Sequence, residues 1–301
     1  MMGHEHHHDH THGANKKAFL ISFILIAAFM VIEAIGGILT NSLALLADAG
    51  HMLSDAVSLA IALTAFKFGE KMADYSKTYG YKRFEILAAV FNGVTLLLIS
   101  IFIFYEAFQR FMAPPEVASA GMLMIAVVGL LVNLAVAWIL MRGDTEENLN
   151  LKAAFLHVIG DMLGSIGAII AALCIMLFGW GFMDPLASVI VAVLILISGW
   201  RVTREALHVL MEGVPKSIDV PYLVDKLTQI YRVEDVHHLH VWTITSGHNA
   251  MSLHAVVHGD MTVHESQRII AEIKSEMEEE GINHVTVQVE CKHHGHDNNI
   301  I

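Results

Sequence analysis

Along most of this chain apolar residues do not alternate with polar ones; they run. Stretches of about 20 mostly apolar residues, enough to cross a hydrocarbon core as a helix, recur from Ala18 to Leu207. Polar, Gly and Pro breaks divide them into predicted spans over Ala18–Leu39, Leu43–Phe66, Phe84–Phe111, Gly121–Met141, Ala153–Phe178 and Met183–Val202. After Gly213 the pattern changes. Pro215 and Pro221 mark the boundary, Pro221 standing where a helix start tolerates proline. Helical spacing then predicts helices over Pro221–Tyr231 and Val263–Glu280. Alternation predicts strands over Val236–Thr245, Met251–His258 and His284–Glu290, with Ser246 and Gly247 as the first turn. The expected fold is an α-helical membrane protein, six transmembrane helices plus a C-terminal cytoplasmic α+β domain of αββαβ order. The expected limits are a His-rich tail over 1–17, the spans within 18–207, the small domain over 213–291 and a second His-containing tail over 292–301.

Composition supports that division. Of the 301 residues 55% are hydrophobic and 16% charged, and the mean hydropathy of +0.55 does not suit a water-soluble surface. The first apolar run is too long for the core of a secretory signal peptide, and only Lys16 and Lys17 precede it as basic residues. Lys67, Lys71, Lys77, Lys82 and Arg83 lie between spans two and three, and Arg201 and Arg204 close span six, whereas the connections one–two and five–six hold no Lys or Arg. Basic residues favour the cytoplasmic side, so both termini are expected there.

Charge and cysteine content narrow the function. The formal net charge is −12, and residues 213–301 carry 6 basic against 13 acidic side chains, a balance that argues against nucleic acid and for cations. Cys174 and Cys291 are the two cysteines, too few for a disulfide framework or a four-thiolate zinc site. The tails carry His4, His6, His7, His8, His10 and His12 at one end and His293, His294 and His296 at the other; neither has the apolar content to pack, and both are expected to be disordered.

The chemistry lies inside the spans. His51 and Asp55 in span two, and His157 and Asp161 in span five, are each spaced i, i+4, which sets imidazole and carboxylate one turn apart on one helix face. Two such faces would supply two nitrogens and two oxygens, a tetrahedral shell for zinc. An ionised Asp at mid-membrane costs about 3 kcal/mol even on the lenient insertion scale; a dication would compensate it. A single such pair is as readily a packing element as a ligand pair, but its repetition in two apolar spans favours a metal site. Asp48, three residues before His51, is expected in the site or its outer shell, while Glu33 and Glu106 are read as structural or rim groups. In the small domain, alternation sends His237 to one face and His238 with His240 to the other, while His237, His254 and Glu290 fall on three strands and can converge; His264 stands near them in sequence. Surface histidines are the alternative there.

The run Asn41-Ser42-Leu43-Ala44-Leu45-Leu46-Ala47-Asp48-Ala49-Gly50-His51, followed by Asp55, resembles the second span of the cation diffusion facilitator family, and His157 to Asp161 resembles its fifth. His238-Leu239-His240-Val241-Trp242-Thr243-Ile244-Thr245-Ser246-Gly247 is similar to the cytoplasmic signature of the bacterial cobalt–zinc–cadmium resistance branch. The resemblance implies a homodimeric exporter in the bacterial plasma membrane, not an enzyme, that exchanges Zn2+, with Cd2+ and Co2+, for H+ or another monovalent cation such as K+. It implies an intramembrane site of His51, Asp55, His157 and Asp161, and a cytoplasmic domain that dimerises and senses metal. No organic cofactor is implied. His51 and His157 are the expected proton carriers, and Arg83 and Glu212 match a hinge charge pair. Two departures stand out: Asp74 is followed by Lys77 and Tyr81 where relatives with a loop metal site carry ligands, and Gln288 and Glu290 replace His and Asp of some members. A membrane-anchored zinc buffer or sensor, and a metal importer or channel, are the competing classes.

Overall fold

The computed structural model describes the backbone of residues 9–69, 74–141, 149–245, 247–259 and 261–291, and the side chains of these except 9–20, 55, 58–69 and 149–157. Long helices come first: α1 (Asp9–Thr40), α2 (Leu43–Gly69), α3 (Phe84–Met112), α4 (Ser119–Met141), α5 (Leu149–Phe178) and α6 (Met183–Leu210). Among the described residues, α1, α3, α4, α5 and α6 each contain an apolar stretch long enough to span a membrane. The described apolar part of α2 is Leu43–Ser54 within a helix of 27 residues. At 1.5 Å per residue its backbone also exceeds a hydrocarbon core of about 30 Å. The chain is a multi-pass membrane protein of six helices. Residues 1–8 and 292–301 lie outside the description. Helix α1 begins at Asp9.

The chain folds into two compact units, Met1–Ala60 with Phe91–Val202, and Ile61–Val90 with Thr203–Ile301. The first unit is apolar outside and polar inside. Ile38, Leu39, Phe91, Phe102 and Phe108 are exposed, whereas Glu33, Asp48, Asn133, Asp161 and Asp184 are buried. Lipid, not water, suits that exterior. Small residues set the helix spacing: a Cβ on Gly129 of α4 would lie 2.6 Å from Phe29 Cζ of α1, and one on Gly199 of α6 would lie 2.8 Å from Leu96 Cβ of α3. Helix α2 is shared between two apolar clusters. Leu43 and Ala47 pack with Leu96, Ile103 and Ile195 of α3 and α6, while Ala44 and Leu45 pack with Met122 and Ala172 of α4 and α5.

The second unit contains α7 (Val220–Thr228), β1 (Val233–Thr245), β2 (His248–Val257), α8 (Val263–Glu279) and β3 (Ile282–Cys291), the αββαβ order expected. The strands lie in the order β1-β2-β3, the first pair antiparallel and the second parallel, as the α8 crossover allows. Asp219 caps α7, with Pro221 in its first turn. Thr262 and Glu265 form a reciprocal capping box on α8. The Thr262 donors hold Glu265 below its ordinary carboxylate range, so its contribution to stability is present above its unfolded pKa and is lost as the pH falls through the lowered folded value. Ile269, Ile273 and Met277 recur on one face of α8 and pack on Met251, Leu253, Ala255 and Val257, the alternate residues of β2. The other residues of β2, His254 among them, face away from the helices.

Gly129→Val should drive α1 from α4 and destabilise the purified protein by about 1–3 kcal/mol, as overpacking does, with partial recovery in Gly129→Val/Phe29→Leu; thermal unfolding in detergent reads both.

Candidate metal centres

The backbone of α2 carries His51 and Asp55 one turn apart, and that of α5 carries His157 and Asp161 likewise. The side chains of Asp55 and His157 lie outside the described residues, so the geometry rests on His51, Asp161 and their surroundings. His51 is half-buried and Asp161 is 2% exposed. Asp48 is buried and turns its carboxylate onto α5: a Cβ on Gly164, three residues beyond Asp161, would lie 3.0 Å from Asp48 Oδ1. Glu33 of α1, read from sequence as a structural or rim group, is buried in this core beside Asp48 and within electrostatic range of Asp161. Glu106, by contrast, pairs with Arg110 at 3.0 Å.

Two further polar groups face this region without any motif to announce them. Ser165 follows Asp161 by one turn of α5 and sets its Oγ 3.3 Å from the Cβ position of Gly129; Asn133 lies one turn further along α4, level with Asp161 in that antiparallel pair. Among the described residues, Ser165 Oγ, Asn133 Oδ1 and Glu33 Oε2 have no hydrogen-bond partner although buried. The sequence signal is a lone Asn in an otherwise apolar helix, which by the cost of burying an amide merits a functional reading.

The second centre stands on the helix-free face of the sheet. His237 pairs in register with His254, and Glu290 on β3 reaches both: His254 Nδ1 is 2.8 Å from Glu290 Oε1, and His237 Nε2 is 3.4 Å from Oε2. One ligand atom from each of the three lies within 4.8 Å of the others. Ligands on tetrahedral zinc stand about 3.3 Å apart given bonds of about 2.0 Å, so this trio fits such an ion with little movement. Gln288 Nε2 donates to Glu290 Oε1 at 2.6 Å and steadies the carboxylate. His264, at the start of α8, is exposed and outside the group.

His238 corrects the expectation from alternation. The β1–β2 register shifts between His237 and His240, and His238 takes φ of 50°, a left-handed conformation. The bulge adds a residue on one strand, so the side-chain alternation slips by one there. His238 therefore joins His237 and His254 on one face, with ring centroids 5.1 and 4.9 Å away. His240 is exposed.

Arg83 Nη2 lies 3.2 Å from Glu212 Oε1, an exposed pair. Asp74 accepts from the Ser76 and Lys77 amides at 2.8 and 2.7 Å. Those donors hold its carboxyl below the ordinary range, the Lys77 amide most. The carboxylate thus closes a turn, and Lys77 stands 5.6 Å from the Tyr81 ring.

Six membrane-spanning helices with carboxyl groups turned inward, joined to an α+β domain bearing a His/Glu trio, define a transporter-type membrane protein concerned with a metal cation. Residues 19–211 match the cation efflux transmembrane domain, and residues 215–292 match the cation efflux protein cytoplasmic domain. The chain belongs to the cation efflux, or cation diffusion facilitator, family. It is 58% identical to the cadmium, cobalt and zinc/H(+)-K(+) antiporter of Bacillus subtilis, over 98% of this chain and 95% of the relative. It is 44% identical to the zinc transporter ZitB of Pectobacterium atrosepticum, over 95% and 88% of the two chains. It is 39% identical to the metal cation efflux system protein CzcD of Cupriavidus metallidurans, over 96% and 90%.

If the cytoplasmic trio holds zinc, His254→Ala should weaken that binding by about tenfold or more, and His264→Ala should leave it unchanged; competition against a chromophoric zinc chelator distinguishes the two.

Proposed function

We propose that the protein exports Zn2+, with Cd2+ and Co2+ as further substrates, from the cytoplasm across a bacterial plasma membrane by alternating-access antiport. The observation that carries this reading is the buried core joining Glu33, Asp48 and Asp161, on a chain 58% identical end to end to a cadmium, cobalt and zinc antiporter. His51, Asp55, His157 and Asp161 are the proposed ligands, with Asp48 in their outer shell. Two imidazoles with two carboxylates suit zinc or cobalt better than harder ions. Both termini face the cytoplasm in this reading, where basic residues gather. The transmembrane part ends near 207, and the domain from 213 to 291 pairs two copies of the chain. His237, His254 and Glu290 there bind regulatory zinc, and Arg83 with Glu212 braces the hinge.

Energetics favour exchange over simple release. Moving a dication outward against an inside-negative potential costs about 4.6 kcal/mol per 100 mV, and each entering monovalent cation returns about half. Two such ions make the cycle electroneutral. His51 and His157 must be neutral to hold metal and can each take a proton when it leaves. The name of the Bacillus subtilis relative pairs H+ with K+, and one of each balances the charge equally well.

The reading predicts zinc uptake into everted vesicles, stimulated by an imposed pH gradient or an opposed K+ gradient, and its loss in Asp161→Ala at normal membrane abundance. Uptake indifferent to both gradients would exclude antiport; undiminished uptake by Asp161→Ala would exclude this site.

A further inference from the structure

The first turn of α2 is finished by a residue of α6. Asp184 is completely buried. Its Oδ1 accepts from Ser42 Oγ at 2.6 Å and from the Ala44 amide at 3.2 Å, and its Oδ2 accepts from the Leu43 amide at 2.8 Å. Ser42 Oγ in turn accepts from the Leu45 amide at 3.3 Å. A helix start leaves its first amides without intrahelical partners; here the amides of Leu43, Ala44 and Leu45 are all met, two of them from another helix.

Charge closes the arrangement. The buried carboxylate faces the positive end of the α2 dipole, and Arg110 Nη1 of α3 lies 3.6 Å from Asp184 Oδ2. The same guanidinium donates to Asn41 O at 2.7 Å and to Asn41 Oδ1 at 3.2 Å. Asn41, with φ of 56°, forms the tight turn between α1 and α2 and also donates to Glu116 O at 3.3 Å. The Asn41-Ser42-Leu43-Ala44 segment thus has a role apart from metal ligation: it is the socket into which Asp184 fits.

We propose that Asp184 is a positioning residue for transport, a cap in trans that fixes the height and rotation of α2 and so presents His51 and Asp55 to α5. Leu43 and His51 are eight residues apart on one helix, about 12 Å along its axis, so Asp184 acts on the site without touching it. A carboxylate that meets these amides and is held by Arg110 of α3 fixes the start of α2. The inference rests on the export reading above.

The test compares Asp184→Ala with Ser42→Asp/Asp184→Ala, in which a carboxylate at the N-cap of α2 supplies the cap from its own chain. Zinc uptake is measured in everted vesicles over a range of zinc concentrations, at matched membrane abundance. Asp184→Ala should raise the half-saturating zinc concentration by about tenfold or more with a smaller loss of maximal rate, and the double variant should recover most of that shift. Wild-type kinetics in Asp184→Ala overturns the proposal. So does a double variant that remains as impaired as the single one, because Asp184 would then act on the ion path and not through α2. If Asp184→Ala does not accumulate, the isosteric Asp184→Asn and Ser42→Asp/Asp184→Asn decide by the same readings. A wild-type protein without zinc uptake would refute the export reading instead.

Discussion

An ionisable side chain in hydrocarbon must find a partner or lose its charge, and the helix arrangement of this protein follows from that constraint. The lipid-facing surface is apolar, and the acidic groups of the spans turn inward. They do so in two distinct ways. Asp184 is fully provided for: helix-end amides, a hydroxyl and a guanidinium surround it. Glu33, Asp48 and Asp161 instead crowd their carboxyl groups into one buried core, beside neutral oxygens of Ser165 and Asn133. One group is built to be permanent. The other has the composition expected of a place that a cation enters and leaves.

Helix α2 connects these two regimes. Its first turn is anchored, that turn and Ala47 just beyond it pack against both helix sets through Leu43, Ala44, Leu45 and Ala47, and its next turns carry Asp48, His51 and Asp55. In the proposed mechanism, any motion that opens the site to one side of the membrane must move the neighbours of α2 while preserving the pairing of its ligands with those of α5. The glycine contacts of α1 with α4 and of α3 with α6 set those helices at close spacing.

In the small domain, packing and chemistry occupy opposite faces of one sheet. The core takes Met251, Leu253, Ala255 and Val257, and the open face takes His254, His237, His238 and Glu290. Alternation makes most of this legible, since the strand period is strict and the predicted strands nearly coincide with β1, β2 and β3. It fails at His238, because a bulge is a local exception to that period and nothing in His237-His238 announces it. Apolar length reveals the spans, and the repeated i, i+4 spacing singles out both helices of the candidate transport site. The roles of Asp184 and Arg110 are not legible in sequence, because each acquires its role from a partner on another helix. Glu33 stands out as an acid in a span, but its place does not: its sequence neighbours are apolar, and only the packing of α1 on α2 brings it to Asp48.

The central claim is that a divalent metal binds between α2 and α5 to imidazole and carboxylate. Zinc-edge X-ray absorption tests it most directly, on detergent-purified protein carrying His237→Ala, His254→Ala and Glu290→Ala so that the cytoplasmic trio does not contribute. The account predicts about four nitrogen and oxygen ligands at about 2.0 Å with imidazole scattering. A sulfur shell, six oxygen ligands without imidazole, or no retained zinc would contradict it.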